Sequence, residues 1–484
     1  MGKSDLYNPP RMTKTQSTAS IRLYDTMTRS LRTFESIEPG AVRMYTCGPT
    51  VYNYAHIGNF RAYIFEDLLR RTLKFAGYSV THVMNLTDVE DKTIAASMRE
   101  GVPLKEYTKR YIDAFFEDLK TLGIERAEHY PAATDYVPEM IRLIEVLIEK
   151  GVAYQSEDKS VYYRIDRFPN YGGLCRLDRE NLRPGARVTQ DEYEKDSYGD
   201  FALWKAWDEK DGDVAWDSPW GRGRPGWHIE CSAMSMKLLG ETFDLHTGGV
   251  DNIFPHHDDE IAQSEAATGR KFVNYWMHCA HLIVDGKKMS KSLGNFFTLR
   301  DLLSKGYSGR ELRYELVSTH YRQPLDFTFE SLDGRRTALV RLDEFRRRLV
   351  EASGTALPQG EVPAWAGKGR AAFSEAMFND LNISGALAAV FDMLRDGNKA
   401  LDGGQVDAKA ARLALAVWDD MDKVLGFLQP PEETVDAAIQ ALLDARQAAR
   451  AAKNWAESDR LRDEIAKKGW IVKDSAQGQK VRRA

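Results

Sequence analysis

Between Ala41 and Leu86 the apolar pattern changes period twice, and few folds accommodate that. Val42, Met44 and Thr46 alternate with Arg43 and Tyr45, the period of a strand. Phe65, Leu68, Leu69, Leu73 and Ala76 then form a helical stripe over Phe60–Ala76, and Gly77 fits its C-terminal cap. From Ser79 the alternation returns through Val80, His82, Met84 and Leu86. Strand, helix, strand in that order is the unit of a parallel sheet. The loop between the first strand and the helix carries His56-Ile57-Gly58-Asn59. Unpaired N–H groups and the helix dipole favour a phosphate there. Gly58 lets a nucleotide approach closely and His56 can donate to it. Asn59 can donate a hydrogen bond but carries no charge.

A second half of similar texture begins at Trp227. A helix over Ser232–Leu239 precedes a strand at Phe243–His246, which ends in Thr247-Gly248-Gly249-Val250-Asp251. The two glycines permit close backbone contact with a ligand, and the Asp251 carboxylate can accept from ribose hydroxyls. Farther on, Val284-Asp285-Gly286 reads as a strand entering a turn before Lys288-Met289-Ser290-Lys291-Ser292. That loop carries two lysines and two serines. The intervening residues, Gly151 to Pro225, are short strands, turns and tryptophans, and read as an insertion between two halves of one nucleotide fold. Gly221–Gly226 matches GxGxxG literally. No strand is expected before it and Pro225 sits inside it, so the dinucleotide reading fails.

Pro255 suits a helix start. Behind it His256 and Glu260 share one helical face as i and i+4. With Cys47 and Cys231, each at a loop–helix junction, they can complete a tetrahedron of two sulfurs, one nitrogen and one oxygen. His278 with His281, and His257 with Glu260, are rival pairs that spacing alone does not separate. Cys175 and Cys279 read as plain thiols.

With 484 residues, 43% hydrophobic and 29% charged, the chain has length for two to four domains. No apolar run is long enough to cross a membrane, and the polar first 20 residues lack the apolar core of a secretory signal, so they read as a disordered leader. Four cysteines in so long a chain do not make a disulfide framework; a reducing, cytoplasmic setting is expected. The net charge of −5 does not advertise nucleic-acid binding, so any RNA contact must rest on a local basic face. From about Leu312 helical stripes follow one another through Leu339–Leu349, Phe373–Leu401 and Ala408–Leu425, a bundle. Gln429-Pro430-Pro431-Glu432-Glu433 reads as a linker. The tail from Ala441 holds eleven Lys and Arg against six Asp and Glu. It reads as two helices and a strand at Trp470-Ile471-Val472, where Trp455 and Trp470 could stack on RNA.

The HIGN and KMSKS stretches, in this order, resemble the nucleotide-binding pair of the class I aminoacyl-tRNA synthetases. Asn59 stands where that group usually has histidine. MYTCGPTVY, GWHIECSAM, FPHHDDEIAQSEA and KKMSKSLGNFFT together resemble the cysteinyl-tRNA synthetase family, from about Ile21 to the C-terminus. The resemblance implies an α/β class I synthetase nucleotide-binding (Rossmann-like) parallel sheet with an insertion, then an α-helical bundle and a small C-terminal anticodon-binding domain. Its expected divisions are 21–150 and 226–285 for the catalytic halves, 151–225 for the insertion, 286–320 for the KMSKS loop and stem-contact region, 321–428 for a tRNA-binding bundle and 429–484 for the anticodon domain. It implies cysteine–tRNA ligation with ATP, L-cysteine and tRNA(Cys) as substrates.

One Zn²⁺ per chain is implied at Cys47, Cys231, His256 and Glu260, and Mg²⁺ with ATP. The catalytic and ATP residues implied are His56, Gly58, Asn59, Gly249, Asp251, Lys288, Ser290 and Lys291. Thr87, Trp227 and His246 match the amino-acid pocket, and Arg450, Asp459 and Asp474 match positions near the anticodon. A related alternative joins activated cysteine to an amino sugar, and the basic tail argues against it; a zinc-stabilised RNA-binding protein would need no KMSKS loop. No coiled-coil stripe compels a dimer, so a monomer is expected.

Overall fold

The computed structural model of the chain describes residues 20–177, 187–188, 199–430, 437–475 and 478–483. The expected leader, apart from Ser20, and part of the expected linker at 429–433 lie outside these residues. The chain divides into two compact units, residues 1–428 and 429–484.

In the first unit a hairpin of β1 (Arg22–Asp25) and β2 (Ser30–Thr33) leads into β3 (Ala41–Thr46), α1 (Ile57–Phe75) and β4 (Ser79–Met84). Helix α1 starts three residues earlier than its apolar stripe suggests. His56 caps it: its Nδ1 accepts from the Asn59 N–H at 3.2 Å, while Asn59 Oδ1 accepts from the His56 N–H at 3.0 Å. Such a reciprocal box satisfies two otherwise unpaired donors. Next come α2 (Asp91–Glu100), α3 (Leu104–Thr121) and α4 (Val137–Glu149). A separate sheet then forms from β5 (Ala153–Gln155), β6 (Val161–Tyr163), β7 (Arg187–Val188), β8 (Asp200–Ala206) and β9 (Gly223–Pro225), mostly antiparallel. The GxGxxG look-alike is therefore partly an edge strand of this sheet.

The chain returns through α5 (Trp227–Leu239), β10 (Phe243–Gly249), α6 (Asp258–Thr268) and β11 (Val273–Cys279). The two halves close into one parallel sheet, in the order β11-β10-β3-β4. Between β3 and β10 the winding direction switches, and open parallel sheets bind ligands beyond the strand ends at such a point. Helix α6 starts at Asp258, not at Pro255; residues 253–257 form a wider turn with a cis Phe254–Pro255 peptide and an extended Phe254. Among the described residues the four cysteines are free.

His82 of β4 lies wholly inside this sheet, with Nε2 2.9 Å from Thr46 Oγ1. Burial first, and then the nearby Arg70 charge, push its pKa down to about 3. The unfolded chain takes up a proton near pH 6.5 that the folded chain refuses. This contribution is complete above that pH and is lost as pH falls toward 3. At pH 5 the loss from His82 alone should be about 2 kcal/mol relative to pH 7.5. In His82→Gln the pH 7.5-to-5 difference in urea-unfolding free energy should shrink by that amount; an unchanged difference would remove His82 as the cause.

After β12 (Leu282–Val284) and β13 (Lys287–Lys288) the chain becomes helical: α7 (Leu299–Ser304), α8 (Gly309–Val317), then a short β14 (Leu325–Phe327), α9 (Phe329–Ser353), α10 (Ala364–Phe378), α11 (Ile383–Asp402) and α12 (Ala408–Leu425). The stripe at Phe373–Leu401 is two helices, not one. Asp380 and Leu381 between them have positive φ, 59° and 54°. The Asp380 carboxylate explains the break, since it accepts from the Tyr24 N–H (2.8 Å), the Tyr321 hydroxyl (2.7 Å) and Arg322 Nε (2.8 Å). Arg313 of α8 ties the bundle to the catalytic half. Fully buried, it donates to Asp67 of α1 at 2.6 Å and to the carbonyls of Leu425, Leu122 and Gly123. Against the cost of burial, Arg313 and Arg71 hold the Asp67 carboxyl below its ordinary range.

The second unit contains α13 (Ala437–Ala451), α14 (Trp455–Lys467) and the hairpin β15 (Trp470–Ser475) and β16 (Gly478–Arg483). Trp470 is not a stacking surface; it packs in this unit's core with Ile439, Leu443 and Ile465. Trp455 is exposed, with the Arg450 guanidinium 5.5 Å from its ring centre.

Candidate active site and metal centre

The ends of β3 and β10 sit side by side and are locked together, because the Cys47 N–H donates to the Thr247 carbonyl at 3.3 Å. Cys231 lies one turn into α5, and Glu260 in the first turn of α6, both buried. Ligating atoms of Cys47, Cys231, His256 and Glu260 all lie within 4.8 Å of one another. The rival His257 is also close: Cys47, His246, His257 and Glu260 satisfy the same limit. His278 is buried nearby, but His281 is exposed, so that pair is split.

Hydrogen bonding separates the two sets. His228 Nε2 lies 3.3 Å from Asp259 Oδ2, whose other oxygen accepts from the Tyr171 hydroxyl at 2.6 Å. A proton on His228 Nε2 leaves its Nδ1 to accept from His256 Nδ1, 2.7 Å away. His256 Nε2 then carries a lone pair. Burial first keeps both rings neutral, with pKa values pushed down to about 3. That lone pair faces Glu260 Oε1 at 3.1 Å. Two acceptors facing each other in a buried site repel unless a proton or a cation lies between them. The donor set therefore fits a thiophilic divalent cation: two sulfurs, an unprotonated imidazole and a carboxylate, oriented by a histidine–carboxylate outer layer. His257 has another task. Its Nε2 lies 3.2 Å from Cys47 Sγ, and its Nδ1 meets His278 Nε2 at 2.8 Å, whose Nδ1 meets Thr26 Oγ1 at 2.8 Å. Burial first, then the Cys231 and Glu260 neighbours, raise the Cys47 thiol well above its ordinary range. Cation binding must therefore displace a proton from it.

Of the three residues that the resemblance matched to an amino-acid pocket, Trp227 and His246 touch this cluster. The Trp227 ring lies 4.5 Å from that of His256. Thr87 is buried, its hydroxyl donating to Glu230 Oε2 at 3.3 Å and receiving Asn85 Nδ2 at 3.1 Å. His246 sits beneath the cluster, with Nε2 2.9 Å from Glu260 Oε2.

The two nucleotide motifs are joined directly. The Ile57 N–H donates to the Phe297 carbonyl at 3.0 Å, and His56 bridges Thr298. A Cβ on Gly58 would come 2.9 Å from His56 Nδ1 and 3.2 Å from Met289 Cε, so glycine there also makes room for the second motif. A Cβ on Gly249 would come 2.3 Å from Asp251 Oδ1. Asn59 gives its amide oxygen to the helix cap. His56 Nδ1 accepts within that cap, so Nε2 carries the proton of the neutral ring. Burial first, and the charge of Lys291, lower its pKa. In the second motif Asn295 holds the loop, accepting from the Ser290 N–H at 2.8 Å and donating to the Lys288 carbonyl at 3.2 Å. Ser290 and Ser292 share a hydrogen bond of 2.7 Å, while Lys288 and Lys291 are exposed.

In the second unit Asp474 pairs with Arg446 (2.9 Å) and Arg450 (3.1 Å), and Asp459 with Arg462 (3.1 Å). His228, Asp259, Tyr171 and Thr26 were not singled out by sequence reasoning. No spacing links them, although His228 and Asp259 each lie close in sequence to a named ligand.

A parallel sheet whose HIGN loop meets the KMSKS loop is the arrangement of a class I aminoacyl-tRNA synthetase catalytic domain. The family model described as the tRNA synthetases class I (C) catalytic domain matches residues 33–336, a DALR domain 372–429, and the cysteinyl-tRNA ligase anticodon binding domain 433–482. The chain is 53% identical over 468 residues to a cysteine–tRNA ligase of Protochlamydia amoebophila, covering 96% of this chain and 98% of that protein. It is 51% identical over 472 residues to one from Chlamydia muridarum, covering 95% and 99%. Methionyl-tRNA synthetase of Mycobacterium tuberculosis, solved with methionyl-adenylate, shares the fold with a TM-score of 0.58 at 16% identity, over 80% of this chain and 90% of that one. The chain belongs to the cysteine–tRNA ligase family.

Proposed function

We propose that this site joins cysteine to ATP and then to the 3′ end of tRNA(Cys), with zinc at Cys47, Cys231, His256 and Glu260. The observation that carries this reading is the gathering of two thiols, an imidazole lone pair and a carboxylate at the switch point, beside two loops suited to a triphosphate. Zinc bound there supplies a position that prefers a thiolate to a hydroxyl, and so separates cysteine from serine. Trp227 and Thr87 border the substrate, and His246 holds Glu260. The cysteine carboxylate attacks the α-phosphorus; the bond to the bridging oxygen breaks and pyrophosphate leaves. His56 Nε2–H, the Asn59 amide and the α1 N-terminus serve the phosphates from one side. Lys288, Ser290 and Lys291 serve them from the other. Gly58 and Gly249 keep the approach open, and Asp251 accepts from the ribose. The terminal tRNA hydroxyl then attacks the acyl carbon, loses its proton, and AMP leaves. Mg²⁺ accompanies ATP.

The assignment of domains follows the expected divisions: catalytic halves at 21–150 and 226–285, insertion at 151–225, KMSKS and stem-contact region at 286–320, bundle at 321–428 and anticodon domain at 429–484. The protein acts as a cytoplasmic monomer; among the described residues no helix is long and apolar enough to cross a membrane. Arg450, Asp459 and Asp474 recognise anticodon base edges, guanidinium to guanine and carboxylate to an amino group. Arg450→Ala should raise KM for tRNA(Cys) about tenfold, as expected for loss of one base-edge contact, with KM for cysteine unchanged. An unchanged tRNA KM would remove Arg450 from the interface. ATP–pyrophosphate exchange with cysteine against serine, followed by charging of tRNA, tests the whole assignment. Exchange without charging would favour an amino-sugar acceptor.

A further inference from the structure

The loop from Cys47 to His56 joins the metal cluster to the first nucleotide motif. Its first part is clamped to Thr87: the Val51 N–H donates to the Thr87 carbonyl at 3.0 Å, and the Thr87 N–H to the Pro49 carbonyl at 3.1 Å. Its last residue, His56, caps α1 and bridges Thr298. Between these anchors the chain comes to the surface. Val51 is buried, but Tyr52, Asn53 and Tyr54 are exposed, the two rings to 37% and 39%.

A loop tip that only connected its anchors would suit small polar residues. Here two large rings stand at the tip, and each is held in place. The Tyr107 hydroxyl of α3 donates to the Tyr52 carbonyl at 2.8 Å, and Asn53 Oδ1 accepts from the Tyr54 N–H at 2.8 Å. Tyr111 meets the Tyr54 ring edge-on, with centroids 5.3 Å apart at 78°. The Arg300 guanidinium lies 4.8 Å from the Tyr54 ring centre, and Lys92 Nζ 5.7 Å from that of Tyr52. Arg300 also pairs with Glu117 and Asp118, both at 3.2 Å. The tip therefore adds preorganised aromatic area to the surface more than it adds net positive charge.

Aromatic rings of this kind, backed by cations, suit unpaired nucleobases, which offer a free face for stacking. Bases inside a duplex are already stacked on one another. We propose that Tyr52 and Tyr54 are positioning residues for acyl transfer: they stack the bases of the unpaired 3′ end of the tRNA and so guide its terminal hydroxyl to the acyl carbon. This deepens the proposed function and rests on tRNA being the acyl acceptor. Leucine at both positions keeps apolar bulk and removes the aromatic faces; phenylalanine keeps the faces and removes only the hydroxyls.

The test uses the full chain and tRNA(Cys). In Tyr52→Leu/Tyr54→Leu, kcat/KM for tRNA in transfer from preformed cysteinyl-adenylate should fall about 100-fold, and in either single variant about tenfold, the scale of one stacked base each. ATP–pyrophosphate exchange without tRNA should stay within about twofold of wild type. Tyr52→Phe/Tyr54→Phe should transfer like wild type. The slope of log affinity against log salt should not change, because no phosphate contact is lost. A tRNA(Cys) trimmed of its unpaired 3′ tail should bind wild type and the leucine variant alike, since the partner of the rings is gone. Transfer unaffected by the leucine pair would overturn the proposal. So would a matching fall in exchange, which would mean that the rings hold the catalytic loop rather than the tRNA, or an equal loss of affinity for the trimmed tRNA. A wild-type chain that runs exchange but charges no tRNA would overturn the proposed acceptor, and this inference with it.

Discussion

Cys231→Ser should lower cysteine-dependent ATP–pyrophosphate exchange about 1,000-fold in kcat/KM, a loss of about 4 kcal/mol in transition-state binding. The change exchanges one atom, so the packing around α5 survives. The donor set does not. A hydroxyl is a poor ligand for a soft or borderline cation and remains protonated where a thiol ionises. The lone pair on His256 Nε2 and Glu260 Oε1 would then face each other across 3.1 Å with a weakened cation between them. Metal content and exchange should fall together, and the preference for cysteine over serine should collapse toward the small ratio that shape alone supports. A variant that kept its metal and stayed within about tenfold of wild-type exchange would show that Cys231 is not a ligand.

Lys291→Ala should slow adenylate formation by about 100- to 1,000-fold, the scale for losing one preorganised charge at a transferring phosphoryl group. KM for cysteine should change little, since the ring contact of Lys291 is with Phe296 and not with the four-residue cluster. The reason is local geometry. The loop backbone is held by Asn295, but the Lys291 side chain is exposed, its Nζ resting 5.2 Å from the Phe296 ring centre. It can swing toward a triphosphate without dismantling the turn. Single-turnover measurement of adenylate formation separates this from product release. An equal loss in cysteine KM would argue that the variant had disturbed the pocket instead.

Much of the catalytic half was legible because sheets and helices impress their periods on the chain. Val42, Met44 and Thr46, then Leu68, Leu69 and Leu73, read directly as strand and helix. The i,i+4 relation of His256 and Glu260 was legible too, although the helix proper begins only at Asp258. Their meeting with Cys47 and Cys231 was not, because residues so far apart in sequence share no period; motif resemblance supplied what spacing could not. The outer layer of His228, Asp259 and Tyr171 left no sequence signal, since each looks like an ordinary helix or loop residue. The apolar stripe through Phe373–Leu401 misled, because it continues in phase across a break made by the polar contacts of Asp380. Trp470 misled in the other direction: a tryptophan in a basic tail invites an RNA reading, and the small second unit uses it as core.

The backbone contact between Ile57 and Phe297, with the bridge from His56 to Thr298, closes the nucleotide cradle across about 240 residues of chain. Contacts that span so much sequence close a long loop before they gain anything in return. On the ribosome, where synthesis runs from the N-terminus, the first half of the sheet has long emerged before Phe297 exists. A nascent chain therefore brings its HIGN loop against the KMSKS loop only after the second stretch is made, and if these loops hold ATP as proposed, the protein stays catalytically silent through most of its own synthesis.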